Sequence, residues 1–236
     1  SVEGKQPEWV ARWLDLGKPP ELIELQRSAA FKNDVPHVIR PDILLTENGF
    51  SITELDSVPG GIGLTAWLNQ TYSKLSEGRV PRGPNQDRDS RSSSLREIIG
   101  GADGMLRGFE SIFGDAKQVH IVVSEEAATY RPEMVWLAEQ LNGQKHSTFN
   151  VQHSIFNDFA EGEAVYRFFE LFDLANVPNA KNMVERAAEW KCCLTPPPKP
   201  MFEEKMLFAL LWNRNLHNFW RQELGEGFLA RLKKVI

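Results

Sequence analysis

The sequence predicts a mixed α/β fold: a β-hairpin near the N-terminus, a parallel strand–helix layer behind it, and helices towards the C-terminus. Three observations carry this. First, the apolar run Ile43-Leu44-Leu45 and an alternating stretch around Ile52 and Leu55 flank Glu47-Asn48-Gly49. Asn-Gly between two such segments is the strongest short-range hairpin signal. Second, Val119-His120-Ile121-Val122-Val123 is a compact apolar run, followed by Ser124-Glu125-Glu126 and a helical pattern from Pro132 to Leu141. Strand, loop and helix in that order make up a parallel α/β layer. Third, Pro196-Pro197-Pro198 with Pro200 forces an extended segment, and apolar residues then recur at helical spacing from Phe202 to Leu224.

The remaining elements follow from period and punctuation. Residues 7–32 read as two short helices. Trp9, Val10, Trp13 and Leu14 share one face, and Gly17-Lys18-Pro19-Pro20 separates them from Leu22, Ile23, Leu25 and Phe31. A turn, Ser57 to Gly63, leads into a helix from about Leu64 to Leu75. Residues 76–94 have almost no apolar side chains and carry Arg79, Arg82, Arg88 and Arg91 against Asp87 and Asp89. Such a segment is either a solvated, mobile surface loop or a lid reaching towards an anion. A helix follows from about Leu95 to Phe113, interrupted at Gly100-Gly101. Thr148 to Ile155 reads as a strand, Ala164 to Phe172 as an apolar, aromatic segment and Lys181 to Trp190 as a helix. Phe228 to Ile236 is amphipathic and ends on two apolar residues with no capping glycine, which leads us to expect that the native polypeptide continues.

Composition narrows the function classes. Of 236 residues, 42% are hydrophobic and 25% charged, the balance of a globular protein with a buried core. A net charge of −5 and a pI near 5.6 argue against nucleic acid as partner. No apolar run reaches the ~18–20 residues of a membrane span. The two cysteines, Cys192 and Cys193, are adjacent, which supports neither a disulfide framework nor a zinc site and suits a reducing, cytoplasmic setting. His37, His120, His146, His153 and His217 show no metal-ligand spacing, and the tryptophans read as core.

Chemistry concentrates in Arg40-Pro41-Asp42 and Glu54-Leu55-Asp56. Alternation places Glu54 and Asp56 on one face of the second strand, and Asp42, two residues after Arg40, can face them across the hairpin. Three carboxylates together repel one another unless a cation sits among them, and oxygen ligands suit Mg²⁺. Arg40 on the same face is suited to a phosphate. The plainer alternative is the polar outer face of an amphipathic hairpin. Gly60-Gly61-Ile62-Gly63 ahead of a helix offers backbone N–H groups to an anion or is simply a turn and cap. Ser124-Glu125-Glu126 lies where α/β sheets bind ligands.

Arg-x-Asp, a hairpin, and Glu-x-Asp fourteen residues after the arginine, followed by a small-residue loop and a helix, resemble the signature of the glutathionylspermidine-synthase-like ATP-grasp family. A distant stretch is similar to that family as well: Val165 to Phe172, the proline link Thr195 to Pro200, and Lys205 opening an apolar helix that reaches Leu211-Trp212. The resemblance implies an ATP-grasp fold, of which this chain would be the front portion, incomplete at its C-terminal end. Residues 1–75 would hold the metal and phosphate hairpin, 95–160 a substrate-side α/β layer and 161–236 a helical ATP-site segment. It further implies Mg²⁺ on Asp42, Glu54 and Asp56, and ATP held by Arg40 and Lys205, with Arg40 acting in catalysis. The activity would be ligation of a small-molecule or peptide carboxylate to an amine. The sequence departs from the family at Asp56, where the best-known members have asparagine, and at Pro59-Gly60-Gly61, where small hydroxyl residues are usual. Two rivals remain: a non-catalytic binding module of the same fold, and a Rossmann-type domain, for which the glycine fingerprint after Val123 is missing.

Overall fold

The computed structural model describes residues 6–77, 98–143, 147–152, 159–177, 180–189 and 192–236. The candidate loop 76–94 lies outside them but for its first two residues. Short helices α1 (Glu8–Asp15) and α2 (Pro20–Arg27) open the chain, and β1 (Arg40–Thr46) and β2 (Gly49–Asp56) form an antiparallel hairpin. Helix α3 (Ile62–Glu77) and α4 (Gly104–Ser111) lead to the sheet: β3 (Gln118–Val123), α5 (Arg131–Asn142), β4 (Thr148–Gln152), β5 (Ala164–Phe168), α6 (Ala180–Glu189) and β6 (Cys193–Thr195). Helices α7 (Met206–Trp212), α8 (His217–Leu224) and α9 (Glu226–Leu232) follow.

The four-stranded sheet runs β4-β3-β5-β6 with every pair parallel. Both of its faces are covered, which is why its central strands are buried along nearly their whole length and mostly apolar, with His120 and Arg167 as buried exceptions. Val119, Ile121 and Val123 of β3 and Tyr166 and Phe168 of β5 pack beneath α3, α4 and α5, with Ile62, Ala66, Leu106, Phe109 and Leu137. On the opposite face Val122 and Val165 meet Met183, Val184 and Ala187 of α6 and Phe31 from the N-terminal arm.

Three expectations are corrected. The turn residues are Glu47 and Asn48, and Gly49 (φ 144°) already belongs to β2, paired with Thr46. The expected helix from Leu95 to Phe113 is helical only over Gly104–Ser111: Gly100 and Gly101 are both at positive φ in a turn ahead of it, and residues 95–97 lie outside the described residues. The apolar, aromatic segment Ala164 to Phe172 needs none: it supplies β5 as far as Phe168 and the start of a 3-10 turn, Leu171–Asn176. The single long helix from Phe202 to Leu224 is broken at Asn213, which is extended and accepts the Asn215 N–H on its side chain. That side-chain bond caps a new turn in place of helix continuation.

The hairpin's apolar residues do not become core. Ile43, Leu44, Leu45 and Phe50 are exposed, and the outer edge of β2 accepts the chain end, Ile52 N–H donating to the Val235 carbonyl. The loop after β2 does pack. A Cβ on Gly63 would lie 2.6 Å from the Glu133 carbonyl oxygen of α5, and one on Gly60 would lie 2.6 Å from the Tyr130 ring. Backbone cannot yield as a ring can. Gly63→Ala is therefore expected to cost roughly 1–3 kcal/mol of overpacking in thermal unfolding, and Gly60→Ala less. Equal effects would contradict this account of the α3–α5 contact.

Candidate functional site

The hairpin places four of the five candidate residues by its register. Arg40 pairs with Asp56 and Asp42 with Glu54, while Ile43 pairs with Ile52, so the register slips by one residue at Thr53. This bulge decides the site. A continuous ladder counted from the turn would set Asp42 opposite Thr53 and turn Glu54 and Asp56 to the far face. With the bulge, Arg40, Asp42, Glu54 and Asp56 share one face.

Arg40 bridges that face. Its guanidinium lies 2.8 Å from Asp42 and 3.2 Å from Asp56, and donates to the Gly60 carbonyl at 3.1 Å. Asp56 also accepts the Val58 N–H at 2.7 Å, which fixes the start of the glycine loop. Burial raises the Asp56 pKa; the Val58 N–H and Arg40 oppose the rise, and the charges of Glu54 and Asp42 add to it. Lys205 reaches the same face from the far end of the chain, its ammonium 3.3 Å from Glu54. Two ion-paired groups, Arg40 with Asp42 and Asp56 and Lys205 with Glu54, thus lie on the one face.

As a metal centre the face is less complete. Among the described residues no three His, Cys, Asp or Glu side chains are gathered closely enough to hold an ion. Asp42, Glu54 and Asp56 are instead ion-paired to Arg40 and Lys205. The donor chemistry does suit Mg²⁺: all three are hard oxygen ligands, and Asp56 carries a like-charge repulsion that a cation would relieve. ATP's own phosphates are anions that the exposed Lys205 and Arg40 would attract.

Beside Arg40 and Asp56 a cavity of about 350 Å³ opens over the C-terminal ends of β3 and β5; Ser124, Glu126, Tyr130 and Glu170 also line it. From β3 the chain steps to β4 on one side, and from β5 to β6 on the other, so the cavity sits at the point where the winding direction reverses. Open parallel sheets bind ligands there. Ser124 and Glu126 thus reach the cavity, whereas Glu125 turns to Arg131 at 3.1 Å. The glycine loop has one fewer free amide than expected, since Gly61 N–H donates to Glu133 at 2.8 Å.

The part that the sequence reading missed is the floor. Arg167 of β5 is 0% exposed and pairs with Glu203, itself 4% exposed. The guanidinium also donates to the carbonyls of Phe169, Pro196 and Pro197, and Glu203 accepts the Leu171 N–H at 2.7 Å. Glu170 lines the cavity; burial first, then the charges of Glu203 and Asp56, push its pKa up to about 8. The sequence signal was an arginine in an otherwise apolar run. Two lysines tie the N-terminal arm to the same segment: Lys199 donates to the carbonyls of Lys32 and Asp34, and Lys18 meets Glu204 at 3.1 Å.

Two of the histidines have structural partners, His37 against the Ile112 carbonyl and His120 against Glu163, and His146 and His153 lie outside the described residues. The Cys192 thiol donates to the Ala160 carbonyl at 3.1 Å. No helix among the described residues is long and apolar enough to cross a membrane. No model of a known protein family matches the chain, and no curated protein matches it.

Proposed function

We propose that the chain forms the phosphate and metal side of an ATP-dependent carboxylate–amine ligase of the glutathionylspermidine-synthase-like ATP-grasp type. The observation that carries this is the meeting of Lys205 with Glu54, residues about 150 positions apart, on the face that also holds Arg40, Asp42 and Asp56. Two cations and three carboxylates on one face beside a ligand-sized cavity suit a nucleotide triphosphate accompanied by a divalent ion. Arg40 and Lys205 neutralise phosphate charge and hold the transferring group in line. Asp42, Glu54 and Asp56 would hold Mg²⁺, which when bound offsets the charge of the phosphate oxygens. A substrate carboxylate takes the phosphoryl group, and an amine then displaces phosphate to give the amide. The two adjacent cysteines accord with a reducing, cytoplasmic setting, which is part of the proposal.

The first test is Glu54→Gln, which keeps shape and removes charge. Mg²⁺-dependent ATP affinity, measured by calorimetry, is expected to fall about tenfold or more, the weight of one charged contact. Thermal stability without metal should change little, because the Lys205–Glu54 pair is exposed and loses little when broken. A destabilised variant with unchanged ATP affinity would reject the metal-site reading.

One observation favours the second reading, a non-catalytic module: each of the three carboxylates is already paired to a cationic side chain of the chain itself. Hydroxylamine trapping separates the two. A ligase given ATP, Mg²⁺ and its carboxylate yields a hydroxamate and ADP, and a module yields neither.

A further inference from the structure

We propose that a second cavity, which shares Arg40 and Gly60 with the first, binds a neutral aromatic molecule of one or two rings that carries a single N–H or O–H donor. This site is independent of the ligase reading, since it involves neither phosphate nor metal.

The cavity holds about 400 Å³ and lies between the chain entering β1, the loop ahead of α3, and helices α3 and α4. Val38, Ile39, Ile62, Met105, Phe109 and Ile112 give it an apolar lining. Ile62, Phe109 and Ile112 belong to the main core, so the floor is built whether or not a ligand is bound. Ile39, by contrast, leaves 47% of its surface in water, which an occupant would cover. Arg40 is the one Lys, Arg, Asp or Glu among the described lining residues, and its guanidinium is taken by Asp42, Asp56 and the Gly60 carbonyl. A charged ligand would lose its hydration here with nothing to replace it, so the occupant is neutral.

Size and surface give the rest of the class. A dry cavity of roughly 150 Å³ is filled by benzene, so this larger space takes one or two fused rings. The Met105 thioether and the Phe109 ring favour an aromatic partner over an aliphatic one.

His37 supplies the polar handle. It lines the cavity, and its Nδ1 lies 2.9 Å from the Ile112 carbonyl. A carbonyl oxygen only accepts, so Nδ1 carries the hydrogen, and in the neutral ring Nε2 is an acceptor. Among the described residues nothing donates to that nitrogen. An N–H or O–H on the bound ring completes it, and one such group fixes orientation in an otherwise apolar pocket. Because Arg40 and Gly60 line both cavities, the occupant rests against the wall that they share.

The test uses the intact polypeptide and 5-fluoroindole, read by ¹⁹F NMR at about pH 8. The wild type should bind it with a Kd below about 1 mM, which about ten heavy atoms of ordinary ligand efficiency reach. 5-Fluorobenzofuran has the same shape with oxygen in place of the N–H, and should bind about three- to tenfold more weakly, the weight of one hydrogen bond. His37→Phe keeps a ring but no acceptor, and should lose that preference. Gly108 also lines the cavity, and a Cβ there would meet no atom within 4 Å. Gly108→Leu therefore fills the space without displacing backbone, and should weaken 5-fluoroindole at least about tenfold with thermal unfolding retained. No binding by the wild type up to about 5 mM, equal binding by Gly108→Leu, or a preference for the indole that survives in His37→Phe overturns the proposal. Should Gly108→Leu not fold, His37→Phe decides alone, on whether the preference is lost.

Discussion

Replacing Arg167 by Met is expected to destabilise the protein by roughly 3–5 kcal/mol, the usual result of leaving one partner of a buried ion pair alone. The side chain is fully enclosed and serves four acceptors: Glu203 and the carbonyls of Phe169, Pro196 and Pro197. Met fills most of the volume but satisfies none of them. Glu203 would stay buried beside Glu170 with no cation. The double variant Arg167→Met/Glu203→Leu removes both charges and should recover much of the loss, since a well-packed apolar pair often equals a buried salt bridge. Urea denaturation measures both. A single variant within about 1 kcal/mol of wild type would mean that the pair is not the clamp its geometry indicates.

Arg40→Gln should lower the affinity for MgATP about 10- to 100-fold, the range for one charge-assisted contact to phosphate. A second effect of opposite sign is expected for bare Mg²⁺. Arg40 now occupies Asp42 and Asp56. Once it is neutralised, the three carboxylates lose their competing cation and should bind the free ion more tightly. Calorimetry with each ligand reads the two signs. Parallel loss of both affinities would show that Arg40 only holds the hairpin in shape.

Much of the scaffold was legible because it follows local rules. The parallel strand Val119–Val123 with its helix, the hairpin and the two N-terminal helices all lie where period and turn chemistry put them. The candidate residues themselves were readable from spacing and resemblance. What brings them together was not. The slip at Thr53 that turns Glu54 and Asp56 towards Asp42 has no sequence mark, since threonine is an ordinary strand residue. The break at Asn213 was hidden because apolar spacing persists on both sides of it, while a single side-chain bond resets the backbone. Arg167 lay unread in an apolar run because its partner, Glu203, is distant in sequence. Long-range pairs of this kind leave no periodic trace.

The attachment of the N-terminal arm to the last quarter of the chain sets the order in which the molecule can assemble. Ile52 waits for Val235, Glu54 for Lys205, and the carbonyls of Lys32 and Asp34 for Lys199. At the usual pace of about 5–20 residues per second, a ribosome needs roughly 10–40 s to make the stretch between Ile52 and Val235. Throughout that time the hairpin, with Ile43, Leu44, Leu45 and Phe50 open to solvent, has no C-terminal partner. The parallel sheet between can form meanwhile, so the nascent chain carries an exposed, sticky ribbon ahead of a folded layer. Chaperones that hold short apolar segments would find their target there.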